Sequence, residues 1–146
     1  MAYSGRYTPK HPEKYRGNVR DIIYRSSWEL KAFIFCDTNP RVVEWSSEEV
    51  VVPYRSPLDK EYHRYYVDLY AAVKKSDGTI QKYLFEIKPL KETVEPKPQQ
   101  RKTKRYLNEV QKWLVNSAKW TAARAYAKKK GLIFSILTEK ELKINR

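Results

Sequence analysis

Residues 64–88, RYYVDLYAAVKKSDGTIQKYLFEIK, contain two runs of β-branched and aromatic residues separated by a polar turn. Such runs are typical of strands, and an Asp-Gly pair between them is a frequent signal of a β-hairpin. We therefore predict strands over residues 63–75 and 79–88, joined by the loop 76–78. This hairpin decides the fold, because it is the longest continuous strand signal in the chain.

The length of the turn decides whether Asp68 and Glu86 meet. A two-residue loop would place these carboxylates on opposite faces of the hairpin, whereas a three-residue loop with Gly78 in the left-handed conformation would oppose them directly. The three-residue loop also places Leu69 opposite Phe85, so that the apolar partners share one face. Because a slip of one residue would scramble that face, we predict the three-residue loop.

Asp68 and Glu86 form a candidate metal site. Directly opposed residues have Cβ atoms about 4.5–5.5 Å apart, and two carboxylates at that distance repel each other. A divalent cation relieves the repulsion, and Mg²⁺ is often held by one or two carboxylates together with phosphate oxygens. Lys88 follows on the same face, which we expect to be uncovered, and could orient or deprotonate an attacking water. The alternative is a surface salt bridge between Glu86 and Lys88.

The remaining pattern adds helices and shorter strands around the hairpin. Ser26 and Glu29 form a capping-box pattern, and Glu29 has capping as its alternative role. A strand after a helix at the end of the chain requires a crossover, so we predict a mixed sheet in an α/β fold. The predicted elements are a helix over residues 26–37, strands over 41–45 and 49–54, helices over 101–115 and 117–130, and a strand over 132–137.

The composition excludes several classes of protein. The chain of 146 residues fits one domain, and its 41% hydrophobic content does not indicate a disordered tail. No apolar run approaches the roughly 20 residues that span a bilayer, so we expect no membrane partner. The one cysteine, Cys36, excludes an internal disulfide and favours a reducing compartment.

The charge distribution predicts a polyanionic partner, most simply nucleic acid. The net charge is +13, and residues 88–130 hold thirteen bases and three acids. We interpret residues 1–22 as an extended basic arm, with simple disorder as the alternative. For the basic helical region, the alternative is a solvated face. The residues predicted to contact DNA are Arg25, Arg101, Lys102, Lys104, Arg105, Lys112, Lys119 and Arg124.

Several motifs resemble the PD-(D/E)xK nuclease superfamily. Its acidic pattern corresponds to Asp68 followed by Glu86-Ile87-Lys88, and the layout is similar to that of TnsA-like endonucleases. Nearly the whole chain also resembles the head completion nucleases of T4-like tailed phages. The supporting segments are MAYSG at the start, KYRG at 14–17, YRSSWE at 24–29, FEIKP at 85–89, the Asn, Trp and Lys pattern over 108–120, and ILTE at 136–139.

The resemblance implies a restriction-endonuclease-like fold with an α-β-β-β-α-β core over residues 23–146. It implies that Asp68, Glu86 and the carbonyl of Ile87 bind Mg²⁺, or alternatively Mn²⁺, and that Lys88 is the catalytic lysine. Glu29 would be the additional catalytic acid.

The implied function is metal-dependent hydrolysis of DNA phosphodiesters in phage head completion, before heads and tails join. The implied partners are the packaged genome and phage head or neck proteins. The implied location is the host cytoplasm during assembly, with the virion as a second location. The alternative function is that of a non-catalytic DNA-binding structural protein of the head or neck.

Overall fold

The computed structural model of the protein describes residues 3–143. The sequence patterns for strands and helices are largely realised, and two further short strand segments form near the N-terminus. The elements are β1 (Gly5–Arg6), β2 (Ile23–Tyr24), α1 (Ser27–Thr38), β3 (Val42–Ser47), β4 (Val51–Arg55), β5 (Tyr62–Tyr66), β6 (Leu69–Lys74), β7 (Ile80–Ile87), α2 (Lys104–Lys130), β8 (Ile133–Leu137) and α3 (Glu139–Leu142).

The central sheet has the strand order β3-β6-β7-β8. Its first two pairings are antiparallel, and β8 pairs with β7 in parallel after the crossover through α2. A second, two-stranded sheet joins β4 to β5, and β1 pairs with β2. The expected mixed sheet flanked by helices is therefore confirmed.

The β6–β7 hairpin has the predicted register. Leu69 pairs with Phe85, which requires three residues in the turn. The turn is closed by the Gly78 amide, which donates to the Lys75 carbonyl at 3.0 Å. Gly78 has a φ of 88°, a left-handed conformation that glycine adopts without the steric cost of a Cβ atom.

The predicted strand over residues 63–75 is wrong in one respect, because it is two strands in two different sheets. β5 ends at Tyr66 after pairing with β4, and β6 begins at Leu69 and pairs with β3 and β7. At the break, the Val67 amide donates to the main-chain carbonyl of Val50, and the Glu48 amide donates to the main-chain carbonyl of Asp68. Asp68 thus lies where the chain passes from one sheet to the other.

Each face of the central sheet supports its own core cluster. On one face, Leu69, Ala71 and Phe85 pack with Phe33 and Cys36 of α1. The other face carries Leu84, which packs with α2 and the β4–β5 sheet. The break moves Val67 into this second cluster, which separates it from the apolar face that it would share with Leu69 in a continuous strand.

The second helix differs from prediction in its middle. Ser26 caps α1 as expected, and this helix buries Ala32, Phe33, Cys36 and Asp37. Asn116-Ser117 does not break the second helix, since α2 is continuous from Lys104 to Lys130 and ends at Gly131. Within residues 3–143, no helix is long and apolar enough to cross a membrane.

The N-terminal segment is folded against the domain, in contrast to the extended arm expected for residues 1–22. Tyr15 and Ile22 belong to the first core cluster. The carboxylate of Asp37, fully buried in α1, accepts hydrogen bonds from the Tyr7 hydroxyl and from the amides of Lys10 and His11. Residues 1, 2 and 144–146 lie outside the described part of the chain.

Candidate active site

Asp68 is held at the junction of the two sheets by its own side chain. Its Oδ2 accepts a hydrogen bond from the Ile87 amide at 2.8 Å, just beyond the last β6–β7 pair. The register that pairs Leu69 with Phe85 therefore brings Asp68 beside Glu86, as the sequence predicts. A short local feature, the turn at Gly78, fixes a contact at the opposite end of the hairpin.

Glu86 is buried, with 5% of its surface exposed, and both of its carboxylate oxygens have fixed donors. The Tyr65 hydroxyl donates to Oε1 at 2.8 Å, and the Trp120 indole donates to Oε2 at 3.4 Å. The face that carries Glu86 is therefore covered by α2 and by the β4–β5 sheet, and the expectation of an uncovered face is wrong. Burial also raises the pKa of Tyr65, so that its hydroxyl remains a donor.

Asp68 and Glu86 are neighbours at the end of the hairpin, one residue beyond the pair of Leu69 with Phe85. Burial, and then the charge of Glu86, raise the pKa of Asp68 well above the usual range of an aspartate. Two adjacent negative charges that are partly removed from water repel each other. A cation bound between them would relieve that repulsion.

Glu29 lies close enough to influence this pair but is not turned into it. Its amide donates to Ser26 Oγ at 3.1 Å, and its own Oε1 accepts from the Arg25 amide at 3.0 Å. Burial raises the pKa of Glu29, and the charges of Glu48 and Glu86 add to the effect. The Glu29 side chain therefore caps the helix almost as in a capping box, except that it binds the amide of Arg25 and not that of the N-cap residue Ser26. Its part in catalysis stays a prediction.

Arg25 and Glu48 form an ion pair at the edge of the site that the sequence did not indicate. The same pairing raises the pKa of the Arg25 guanidinium. Glu48 has a φ of 55°, an uncommon conformation for a residue with a side chain. Arg25, predicted to contact DNA, would have to exchange Glu48 for a phosphate.

Lys88 and Ile87 follow Glu86 at the end of β7. The Lys88 amide donates to the Leu137 carbonyl at 3.0 Å, which extends the parallel pairing by one residue and keeps Lys88 on the side of Glu86. The Ile87 amide is bound to Asp68, so the main chain of Ile87 lies against the acidic pair. These positions agree with the roles expected for both residues, which stay predictions.

The predicted DNA-contacting residues divide into groups along α2. Arg101 and Lys102 precede the helix, and Lys104 begins it. Arg105 and Lys112 line a groove of about 460 Å³ beside Trp113. Lys119 lies over the rings of Tyr54 and Tyr65, at 5.8 and 5.5 Å, and thus reaches the residue that holds Glu86. Arg124 lies elsewhere, over the ring of Phe134 at 5.5 Å.

The sequence missed Tyr65 and Trp120 as partners of Glu86. Alternation along one continuous strand places Tyr65 on the face opposite Asp68, and only the break after Tyr66 changes this. Trp120 is a core residue, with 3% of its surface exposed, and its indole nitrogen also donates a hydrogen bond to Glu86. No local signal in the sequence identifies either contact.

The acidic pair has the chemistry of a divalent metal site, with one half-buried and one buried carboxylate whose repulsion a cation would relieve. Within residues 3–143, no group of three or more His, Cys, Asp or Glu side chains could hold a metal ion. A metal here would therefore use Asp68, Glu86 and a main-chain oxygen such as that of Ile87, with waters or phosphate oxygens completing its shell.

Residues 39–139 match the family described as TnsA-like endonuclease N terminal, a PD-(D/E)xK-type family, and the chain belongs to it. Nucleases of this kind hydrolyse DNA and generally use divalent metals. The chain is 44% identical to the head completion nuclease of Enterobacteria phage T4 over 147 aligned residues, which cover 98% of this chain and 95% of that protein. No solved structure matches the chain.

Proposed function

We propose that this protein is a Mg²⁺-dependent deoxyribonuclease whose active site comprises Asp68, Glu86 and Lys88. The observation that carries the proposal is the register of the central hairpin, which brings the Asp68 carboxylate, held by the Ile87 amide, beside the buried Glu86. Such a pair stores repulsion that a divalent cation relieves, and Lys88 supplies a positive group beside it. Mn²⁺ is the alternative ion.

Each residue has a distinct part in the proposed hydrolysis. A bound divalent ion supplies Lewis-acid stabilisation of the phosphoryl oxygen. Asp68 and Glu86 would provide the oxygen ligands of that ion. Tyr65 and Trp120 fix the orientation of Glu86. Lys88 orients the attacking water and offsets negative charge that develops at phosphorus.

We further propose that the protein acts in phage head completion, on packaged DNA and before heads and tails join. The name of its phage T4 relative supports this role, and the net charge of +13 supports a nucleic-acid substrate. Head or neck proteins are the proposed protein partners, and the host cytoplasm during assembly is the proposed location, with the virion as a second location.

The test compares Asp68→Asn, Glu86→Gln and Lys88→Met with the parent protein for cleavage of duplex DNA in Mg²⁺. We expect a loss of at least about a hundredfold for each variant, because each removes a ligand or the ammonium group. Asp77→Asn is the control, since Asp77 lies in the exposed turn of the same hairpin and accepts from the Thr79 amide. Cleavage by Asp68→Asn at the parental rate would contradict the proposal.

A chelator separates this function from that of a non-catalytic DNA-binding protein. EDTA should abolish cleavage and leave DNA binding intact, because the basic residues hold phosphate without the metal. A protein that binds DNA but never cuts it, in Mg²⁺ or in Mn²⁺, would have the structural role instead.

A further inference from the structure

The β4–β5 sheet, called the ribbon below, has one face turned to solvent. Its cross-strand pairs on that face are Val51 with Tyr66, Pro53 with Arg64, and Arg55 with Tyr62. All six side chains are exposed, and Tyr62 and Tyr66 expose 75% and 46% of their surface. Large aromatic side chains and arginines displayed together on a fixed strand face are typical of a binding surface.

The opposite face of the ribbon is anchored in the core. Val52, Tyr54 and Tyr65 are buried against α2, where they pack with Trp120 and Ala123. At the far end of the ribbon, Arg55 Nε donates to the Lys60 carbonyl at 2.9 Å. The outer face is therefore held in a defined position relative to the rest of the domain.

The ribbon leads directly into the candidate active site. Tyr66 is the last residue of β5, and Asp68 follows two residues later, a span of at most about 7 Å. Tyr65, the residue before Tyr66, points inward, and its hydroxyl donates a hydrogen bond to Glu86. A molecule that lies along the outer face of the ribbon therefore ends beside the segment that carries Asp68.

The charge of the outer face fits a polyanion. None of its six residues is acidic, and two are arginines. Among the neighbouring acids, Glu48 pairs with Arg25 and Asp59 contacts His63 at 2.7 Å. Glu61 is exposed in the loop at the far end, and Glu49 is exposed two residues before Val51, at the end that meets Asp68.

We propose that the outer face of the ribbon is a docking surface for duplex DNA that holds the flank of the strand to be cut. This inference rests on the proposed nuclease function and adds a substrate surface to it. A two-stranded ribbon fits the major groove of B-DNA, which is about 12 Å wide. Arg55 and Arg64 hold phosphates, and the tyrosine hydroxyls add hydrogen bonds to the DNA backbone.

The test measures DNA binding in EDTA, where no cleavage occurs, with a fluorescent duplex and its single strand. Arg55→Gln with Arg64→Gln should weaken duplex binding about tenfold and lower the slope of log K against log salt by about 2. The control is Lys74→Gln with Lys75→Gln, which removes the same charge at the other end of β6, roughly 20 Å from Asp68. The lysine control should lose much less affinity for the duplex than the ribbon variant does.

Three results would overturn the docking surface. One is equal loss of binding in the ribbon variant and in the lysine control, which would indicate a general charge effect. The second is parental duplex binding by the ribbon variant, which would assign the face to a protein partner. The third is a loss of binding that is as large on single-stranded as on duplex DNA, which would show that the face does not bind the duplex specifically.

Separate control variants test whether folding or catalysis has been affected. Arg55→Lys with Arg64→Lys keeps the charges and should restore most of the phosphate contacts, so that a misfolded glutamine variant cannot decide the outcome. If the ribbon variant binds and cuts as the parent does while Asp68→Asn is inactive, the docking surface fails and the nuclease function stands. Parental cleavage by Asp68→Asn would instead reject the function itself.

Discussion

Glu86 accepts hydrogen bonds from two rigid aromatic donors, Tyr65 and Trp120, that are themselves packed in the core. Their bonds fix the carboxylate in one orientation before any metal arrives. Groups that orient a metal ligand in this way commonly change metal affinity or activity by about 10- to 100-fold when removed. The site therefore depends on residues that do not belong to the acidic motif.

Tyr65→Phe tests this dependence at a single atom. We expect the Mg²⁺ concentration for half-maximal cleavage to rise about tenfold or more, because Glu86 loses its Oε1 donor. Tyr54→Phe is the matched control, since Tyr54 lies on the same buried face of the ribbon. Equal metal requirements in the two variants would show that the Tyr65 hydroxyl does not position Glu86.

Asp68 predicts a specific pH dependence of stability. Its pKa is raised in the folded protein by burial and by Glu86, so the folded state binds more protons than the unfolded state above the ordinary aspartate range of about 3.9. The free energy of unfolding should therefore fall as the pH rises from that range through the raised pKa. Glu29, whose pKa burial also raises, contributes in the same direction.

Thermal unfolding in a chelator measures this effect. Asp68→Asn removes the titrating group, and we expect it to be more stable than the parent at neutral pH by roughly 1 kcal/mol, with the difference shrinking as the pH falls. Added Mg²⁺ should stabilise the parent and not the variant. Parallel pH profiles for the two proteins would contradict the raised pKa.

At the scale of elements, α2 continues through a pair of residues that normally favours a helix end. Ser117 is half-buried, and its hydroxyl is buried without a hydrogen-bond partner among the described residues. We expect Ser117→Ala to raise the free energy of unfolding by about 1 kcal/mol, because it removes an unsatisfied polar group and favours the helix.

The control for Ser117→Ala is Thr121→Ala, at an exposed position of the same helix. That change reports the helix propensity alone, and chemical denaturation of the three proteins separates the two contributions. A gain no larger at position 117 than at position 121 would mean that burial of the hydroxyl has no cost.

The elements also show what the sequence could and could not predict. The hairpin register was predictable because it depends on the local turn around Gly78. The break after Tyr66 was not predictable, because it depends on the pairing of β5 with β4. The alternation of residues along the strand gives no sign of that pairing. The orientation of Glu29 depends on the Arg25 amide, a contact that spacing alone cannot distinguish from a turn toward the sheet.

For the whole molecule, three of the residues predicted to contact DNA lie along one side of α2. Arg105, Lys112 and Lys119 are spaced by seven residues, so they form a line along the helix that leads to Tyr65 and the site. Arg124 lies about 140° around the helix from Lys119. Not all of the predicted DNA-contacting residues can therefore face the same molecule.

Binding to duplex DNA in EDTA at several salt concentrations tests this division. Arg105→Gln with Lys112→Gln should lower the slope of log K against log salt by about 2, because two phosphate contacts are lost. Arg124→Gln should change it little, because its guanidinium lies over Phe134. If Arg124→Gln lowers the slope by as much per removed charge as the Arg105 and Lys112 double variant does, DNA contacts the helix on both sides.

The anchoring of the N-terminal segment has a consequence for shortened forms of the protein. Asp37 is fully buried, and three donors upstream of residue 12 form hydrogen bonds to its carboxylate, which hold its pKa below the usual range despite burial. A chain begun at residue 23 would lose these hydrogen bonds, each worth about 1.5–3 kcal/mol because the acceptor is charged. The N-terminal segment is therefore part of the folded domain, because it supplies the hydrogen-bond donors for a buried carboxylate.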